Sequence, residues 1–249
     1  MKNGKSNGKS ANGKGKSPFG PEVKLPKHIV LIPDGNRRWA KENGVPDKEG
    51  HRRGFDVVLD VARTADSWGI KYFTVWAFST ENWDRSKLEI GNLMRLFKIV
   101  LEKHLKEFIK RRVRVVHLGR KDRLPKFLRL TLEKVIKLTE KNDRFTLNIA
   151  LDYGGRDEIV RAVRKIVADG KDPDKISESE FKKYLDTNGE PEPDLIIRTS
   201  GEQRLSGMMP FQAAYAEYYF EKCHLPDFNS EKLKEAILDF SARQRRFGQ

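Results

Sequence analysis

The stretch His28-Ile29-Val30-Leu31-Ile32-Pro33-Asp34-Gly35-Asn36-Arg37-Arg38-Trp39 decides how this chain is read. A run of β-type apolar residues ends on one carboxylate, a glycine and two arginines, and a helix-like segment follows. Such a strand end suits a diphosphate with a magnesium ion: backbone amides and guanidinium groups hold phosphate oxygens, and Asp34 offers a hard oxygen ligand. The same letters also describe an ordinary capped turn of an α/β protein, with its arginines merely solvated. Alone, the stretch leaves both readings open.

Working outward, apolar β-rich runs alternate with helical periodicity. Strands are predicted at 28–33, 72–78, 113–118, 145–151, 194–198 and 214–220, and helices near 51–68, 87–111, 123–141, 155–169, 178–186 and 229–244. Alternation of this kind specifies an α/β fold, a single domain with a central, mainly parallel sheet of about six strands flanked by helices on both faces. In the segment 87–111, Leu93, Met94, Leu96, Phe97, Val100, Leu101, Leu105, Phe108 and Ile109 form an apolar stripe wider than one helix face needs. Stripes of this kind are usually core; the other reading is the wall of an apolar cavity.

The chain has 249 residues, of which 37% are hydrophobic and 35% charged, enough for one sizeable core under a densely charged surface. One cysteine, Cys223, excludes an internal disulfide framework and a cysteine-built zinc site, and it reads as a small buried or half-buried side chain. No apolar run approaches the roughly 18 residues of a membrane span and no signal-peptide core follows the basic start, so a cytoplasmic protein is expected. Of the net charge of +14, residues 1–17 carry Lys2, Lys5, Lys9, Lys14 and Lys16 among Gly, Asn and Ser, with no acid. That segment has nothing to bury and is predicted to be a disordered basic tail ahead of one folded domain, 18–249. Gly8 to Lys14 imitates a P-loop, but Gly15 stands where Ser or Thr is required and no strand precedes it.

Two further segments place polar groups after predicted strands. One is Phe78-Ser79-Thr80-Glu81-Asn82-Trp83-Asp84-Arg85. The other is Asp194-Leu195-Ile196-Ile197-Arg198-Thr199-Ser200-Gly201-Glu202-Gln203-Arg204-Leu205-Ser206, followed by Tyr215 to Phe220. Ligands of open parallel sheets bind outside the carboxyl ends of strands, so Asp34, Ser79 to Arg85, Arg198 and Arg204 are expected at one mouth.

These three blocks, with Ala214 to Phe220, Asn148 to Arg156 and the terminal Arg245-Arg246-Phe247-Gly248, resemble the signature blocks of the cis-prenyltransferases, the undecaprenyl diphosphate synthase-like enzymes. The likeness runs in unbroken order over residues 27–248. It implies that 18–249 is a catalytic domain that adds isopentenyl diphosphate sequentially to an allylic diphosphate primer, giving a polyprenyl diphosphate for a glycosyl-carrier lipid. By the same resemblance the allylic head group lies on Gly35, Asn36, Arg37 and Arg38 with help from His51, beside Trp39. The isopentenyl diphosphate lies on Arg198, Arg204, Leu205 and Ser206. Magnesium sits with Asp34 and Glu217. Asp34 and Asn82 serve the condensation, while Phe78, Ser79, Thr80, Glu81, Trp83 and Arg85 shape the substrate pocket. A neutral amide is a poor base, so Asn82 positions or relays the proton rather than abstracting it. A growing apolar chain needs a dry tunnel, which favours the cavity-wall reading of 87–111. Arg246 and Gly248 match an Arg-x-Gly motif that reaches a partner's active site, implying a homodimer. Transient contact with a membrane surface would serve product release.

Departures from the family pattern are Asp47, where many bacterial members have arginine, Gln203 in place of histidine, and Pro33 in place of methionine. An acid at Asp47 cannot grip phosphate. With the basic tail, these features resemble archaeal members, for which a longer primer such as geranylgeranyl diphosphate is expected beside farnesyl diphosphate. The alternative is a non-catalytic partner subunit, but such subunits typically lack the first aspartate. Nucleic-acid binding rests on charge alone and is not expected, since the key arginines sit at strand ends beside acids. An all-helical trans-type synthase would carry aspartate pairs, and no Asp-Asp pair occurs in this chain.

Overall fold

The structure, a computed structural model, describes residues 17–243. The basic tail predicted at 1–17, apart from Ser17, and the candidate residues Arg246 and Gly248 lie outside the described residues. Strand β1 (His28–Ile32) is buried at every position, as expected for a strand covered on both faces rather than one with a wet side. The other strands are β2 (Tyr72–Ser79), β3 (Val113–Leu118), β4 (Phe145–Tyr153), β5 (Leu195–Arg198) and β6 (Glu217–Phe220). All pair in parallel in the order β3-β4-β2-β1-β5-β6.

The helices are α1 (Asn36–Glu42), α2 (Asp47–Trp68), α3 (Lys87–Lys110), α4 (Lys126–Thr139), α5 (Gly155–Ala168), α6 (Glu178–Lys182) and α7 (Ser230–Ala242). Side chains alternate across the sheet. Ile29 and Leu31 enter the larger core, shared with α2, α3, α4 and α7, and Val30 and Ile32 enter a smaller one with Met208, Met209 and Ala213. Phe73, Phe78 and Phe228 are fully buried in the larger core, each worth roughly 1.5–3 kcal/mol. On the opposite face α5 is tied in through Glu158, which accepts from the Tyr153 hydroxyl (2.6 Å) and from Gln212 (3.0 Å).

Sheet order decides where a ligand can enter. From β1 the strands proceed one way through β2, β4 and β3, and the other way through β5 and β6. The order therefore reverses between β1 and β5, and the crevice beyond their carboxyl ends is the switch point at which such sheets bind ligands. Ile32 is in register with Arg198, so Asp34 and Thr199 emerge side by side there.

Several element ends differ from expectation. Helix α2 begins at Asp47 rather than 51, because extended Pro46 precedes it and Asp47 and Glu49 suit a helix amino terminus. This accounts for the acid at Asp47, an exposed first-turn residue. Helix α6 is only five residues long, and β6 starts at Glu217 because turns occupy the preceding chain. Ile109, expected in the apolar stripe, is 43% exposed, whereas Leu93, Met94, Phe97, Leu101 and Phe108 are buried.

Candidate active site

At the mouth, Gly35 turns the chain from β1 into α1 with φ of 98°, a left-handed conformation that favours glycine. A Cβ here would also meet the Ser200 Oγ at 2.1 Å and the His224 Nδ1 at 2.5 Å. The first helical bond runs from the Trp39 amide to the Gly35 carbonyl (2.8 Å), so the amides of Asn36, Arg37 and Arg38 have no intrahelical acceptor. Helix α1 can lie this close to α2 because a Cβ at Gly50 or Gly54 would strike the Asn36 carbonyl oxygen or its side-chain Oδ1.

Asp34 is the hub. Its Oδ1 accepts from Arg38 Nη2 (2.9 Å) and its Oδ2 from Arg198 Nη2 (3.0 Å), while Thr199 Oγ1 bonds both its amide and its carbonyl (2.8 Å each). Arg198 is 5% exposed and donates also to Ser206 Oγ (2.8 Å) and to the Arg204 carbonyl, which folds the 201–206 turn over it. Glu202 accepts from Arg38 (2.8 Å) and pairs with Arg204, joining the two blocks. Burial opposes ionisation of Asp34, but the hydrogen bonds from Arg198 and Arg38 outweigh it and hold its carboxyl below the usual range. Asp34 is therefore charged at neutral pH.

A second group of charges forms at the first turn of α3. Glu89 stands 3.0 Å from Arg85, 3.6 Å from His51 and 3.8 Å from Arg37. Burial first, and Arg85 next, lower the pKa of His51, so its imidazole is neutral at physiological pH. Its Nε2 is buried without a hydrogen bond. Asn82 sits in a 3-10 turn (Thr80–Asp84) as half of a reciprocal cap: its Oδ1 accepts from the Ser79 amide at 3.2 Å. This leaves the amide NH₂ to serve another acceptor.

Between these groups a cavity of about 140 Å³ runs inward. Asn36, His51, Asn82 and Arg85 line its polar end, and Phe55, Phe97, Leu101, Phe108, Leu147 and Ile149 its apolar part. A register irregularity in β2 against β4 between Trp76 and Phe78 lets Ala77 border this cavity while Phe78 turns into the core. The arrangement pairs cationic groups with an adjoining apolar recess.

The structure thus joins Asp34, Arg38, Arg198, Arg204 and Ser206 in one network and Arg37, His51 and Arg85 in another, with Asn36 and Asn82 at the cavity rim. Other candidates fall elsewhere. Phe78 is 1% exposed, a core residue beneath Trp83 with ring centroids 5.2 Å apart. The Trp83 indole donates to Asp152 (2.8 Å) and lies under Arg123, and Thr80 Oγ1 donates to Glu81 (2.9 Å). Trp39 is buried under the Arg53 guanidinium, 5.1 Å from its ring centroid, and Leu205 packs on the smaller core.

One expected pair does not meet within a single chain: Asp34 and Glu217 stand at opposite ends of the sheet. Glu217 is in register with Leu195, and Leu195 with Ile29, at the amino end of the sheet. Five residues of strand direction, about 16 Å, therefore separate it from Asp34. Glu217 pairs instead with Arg243 at 3.0 Å. The sequence alone gives Glu89, Glu202 and Thr199 no role, although Glu202 and Thr199 lie inside the stretch from Asp194 to Ser206. Ser86, whose Oγ accepts from the Glu89 amide (3.2 Å), is the local signal that Glu89 opens a helix.

Fold and site define an α/β protein that gathers cations over an apolar recess at the switch point of a parallel sheet. Residues 32–248 match the prenyltransferase family model described as undecaprenyl diphosphate synthase. An isoprenyl transferase from Clostridium perfringens is 43% identical over 231 residues, covering 91% of each chain. One from Fusobacterium nucleatum is 44% identical over 227 residues, covering 91% of this chain and 97% of the relative. Among solved structures, lavandulyl diphosphate synthase from Lavandula x intermedia, in complex with dimethylallyl diphosphate, superposes with a TM-score of 0.88 at 38% identity, over 90% of this chain and 99% of that one. A probable undecaprenyl diphosphate synthase from Campylobacter jejuni gives 0.76 at 30% identity, over 91% and 99%. The chain belongs to the undecaprenyl diphosphate synthase family of prenyltransferases, and it is a transferase of isoprenyl groups. These bacterial and plant relatives lend no support to the archaeal leaning expected from Asp47, Gln203 and Pro33.

Proposed function

We propose that this protein is a magnesium-dependent cis-polyprenyl diphosphate synthase. It condenses isopentenyl diphosphate repeatedly onto an allylic diphosphate such as farnesyl or geranylgeranyl diphosphate. The observation that carries the proposal is the cavity that begins among Asn36, His51, Asn82 and Arg85 and continues between Phe97, Leu101 and Phe108. A diphosphate at its rim and a prenyl chain within it are what a substrate of this class presents. The allylic head group is assigned to the amides after Gly35 with Arg37 and Arg38, and isopentenyl diphosphate to Arg198, Arg204 and Ser206. The guanidinium groups oppose the charge that grows on the departing diphosphate. Asn82, fixed by its bond to the Ser79 amide, would orient the proton leaving the condensing carbon.

The donor set fits a magnesium ion carried by the substrate. Magnesium is usually held by one or two carboxylates together with phosphate oxygens and water, and Asp34 is one ionised carboxylate at the mouth. No cluster of three metal-binding side chains occurs among the described residues, so a closed protein cage does not fit. When bound, the ion would supply charge stabilisation at the diphosphate. For that role Arg38 and Arg198 would shift their donors from Asp34 to phosphate oxygens.

A cavity of about 140 Å³ is the size that seats a single benzene-sized group. A long product therefore requires α2 and α3 to part and extend the recess into a tunnel. Incubating the protein with labelled isopentenyl diphosphate, magnesium and, in turn, dimethylallyl, geranyl, farnesyl and geranylgeranyl diphosphates tests the proposal. Extractable polyprenyl diphosphates of several added units are expected, none of them without magnesium. A single-condensation product alone would overturn the elongation reading, and no product with any primer would favour the partner-subunit reading.

A further inference from the structure

The outer surface of α3 and α4 combines two features that ordinary solvated helices keep apart. Phe127, Leu130 and Leu138 are 41%, 52% and 50% exposed. With exposed Lys134 they follow a spacing of three, four and four residues, which places all four along one side of α4. Exposed Ile99 and Ile109 stand on α3, which packs beside α4. Flanking them are Arg95, Lys103, Lys106 and Lys110 on α3, and Lys126, Arg129, Lys134, Lys137 and Lys141 on and just after α4.

Charge pairing sharpens the contrast. Elsewhere the chain pairs its surface cations readily, as in Arg52 with Glu49 and Asp56, Lys182 with Glu192, and Arg243 with Glu217 and Asp239. None of those nine residues of α3 and α4 makes an ion pair among the described residues. The acids nearby are Glu102, Glu107 and Asp143, already paired with Lys98, with Arg63 and Arg111, and with Arg112, together with Glu133 and Glu140. A strip of exposed apolar side chains set among unneutralised lysines matches an anionic bilayer surface. The apolar groups enter the acyl boundary, and the lysine stems reach back to the head groups.

We propose that the outer face of α3 and α4 docks this protein on anionic membranes. Resting on the proposed synthesis of a long prenyl product, the inference also gives the docking a use. The inner side of α3 carries Phe97, Leu101 and Phe108 on the cavity wall, so one helix thickness, about 10 Å, separates the prenyl chain from the bilayer. A product too apolar for water would leave the protein where it can be received. No described helix is long and apolar enough to cross the membrane, so the contact is peripheral.

Flotation of the full chain with phosphatidylcholine vesicles, with and without phosphatidylglycerol, tests the proposal. The wild type should float with the anionic vesicles only, and less at high salt. Two variants keep the tail intact: Phe127→Ser/Leu130→Ser/Leu138→Ser, and Lys134→Glu/Lys137→Glu. Each should lower the partition coefficient about tenfold or more, at unchanged circular dichroism. Undiminished flotation of both would overturn the proposal and assign binding to the basic tail. A change in sedimentation coefficient of either variant without vesicles, with no wild-type flotation, would also overturn it by making the face a contact between copies. Product formation from water-soluble short primers is read separately: its absence would refute the synthase reading, whereas flotation reports on docking alone.

Discussion

Replacing Asp34 by asparagine tests the mouth in both its roles. The carboxylate accepts from Arg38 at 2.9 Å and from Arg198 at 3.0 Å. The Arg38 side chain is 44% exposed, so its pair contributes under about 1 kcal/mol. The Arg198 side chain is 6% exposed, and loss of its charged acceptor costs about 1.5–3 kcal/mol. An amide oxygen still accepts one bond, and Arg198 keeps Ser206 and the Arg204 carbonyl. Asp34→Asn should therefore lower unfolding free energy by about 2 kcal/mol at neutral pH, read by urea denaturation. The sign with pH follows from the depressed carboxyl. A group ionising below its ordinary 3.8 adds stability above that value and loses it as pH falls through its folded value. The difference between wild type and variant should thus be constant from neutrality to about pH 5 and close below about pH 4. Turnover should fall at least about 100-fold, since charge at the departing diphosphate loses its organising carboxylate. Equal stability at neutral pH together with intact turnover would refute this account of Asp34.

His28 and His117 are each held neutral by burial, with pKa values lowered to about 4 from 6.5. Below the unfolded value the unfolded chain gains protons that the folded chain refuses, so stability should drop as pH falls from about 6.5 toward about 4. The size is about 3 kcal/mol per histidine, measurable by urea titration at several pH values, and a flat profile would contradict their burial. Glu217→Ala removes a partly exposed pair with Arg243 and should change stability by less than about 1 kcal/mol. A larger loss would show that Glu217 is not the edge residue described. Phe108→Ala deepens the apolar end of the cavity, at a cost of about 3–5 kcal/mol in stability, and should lengthen the main product by an isoprene unit or more. An unchanged product distribution by chromatography would remove Phe108 from the cavity floor. Gly35→Ala forces a Cβ against Ser200 and His224 and should abolish turnover, with expression and far-ultraviolet dichroism reporting whether the fold survives.

The strand and helix alternation, the parallel sheet and the membership of Asp34, Arg198 and Arg204 in one mouth were legible in the residues. Buried parallel strands need unbroken β-branched and aliphatic runs, and side chains at a strand's carboxyl end have one place to go. What remained hidden depends on register and on contacts distant in sequence. Leu195 aligned with Glu217 sends that carboxylate to the far end of the sheet, although its block looks contiguous with Arg198. The irregularity in β2 turns Phe78 into the core, and the close packing of α1 on α2 puts Trp39 beneath Arg53. Glu89 gathers Arg37, His51 and Arg85 only because α3 begins beside α2, a relation no local pattern encodes. By itself, then, the sequence determined the elements and the chemistry carried at their ends, because both follow from local periodicity and residue type. Which of those groups meet was decided by the tertiary structure, since strand order, register and helix packing place residues separated by more than a hundred positions within a hydrogen bond of one another, as with Asp34 and Arg198.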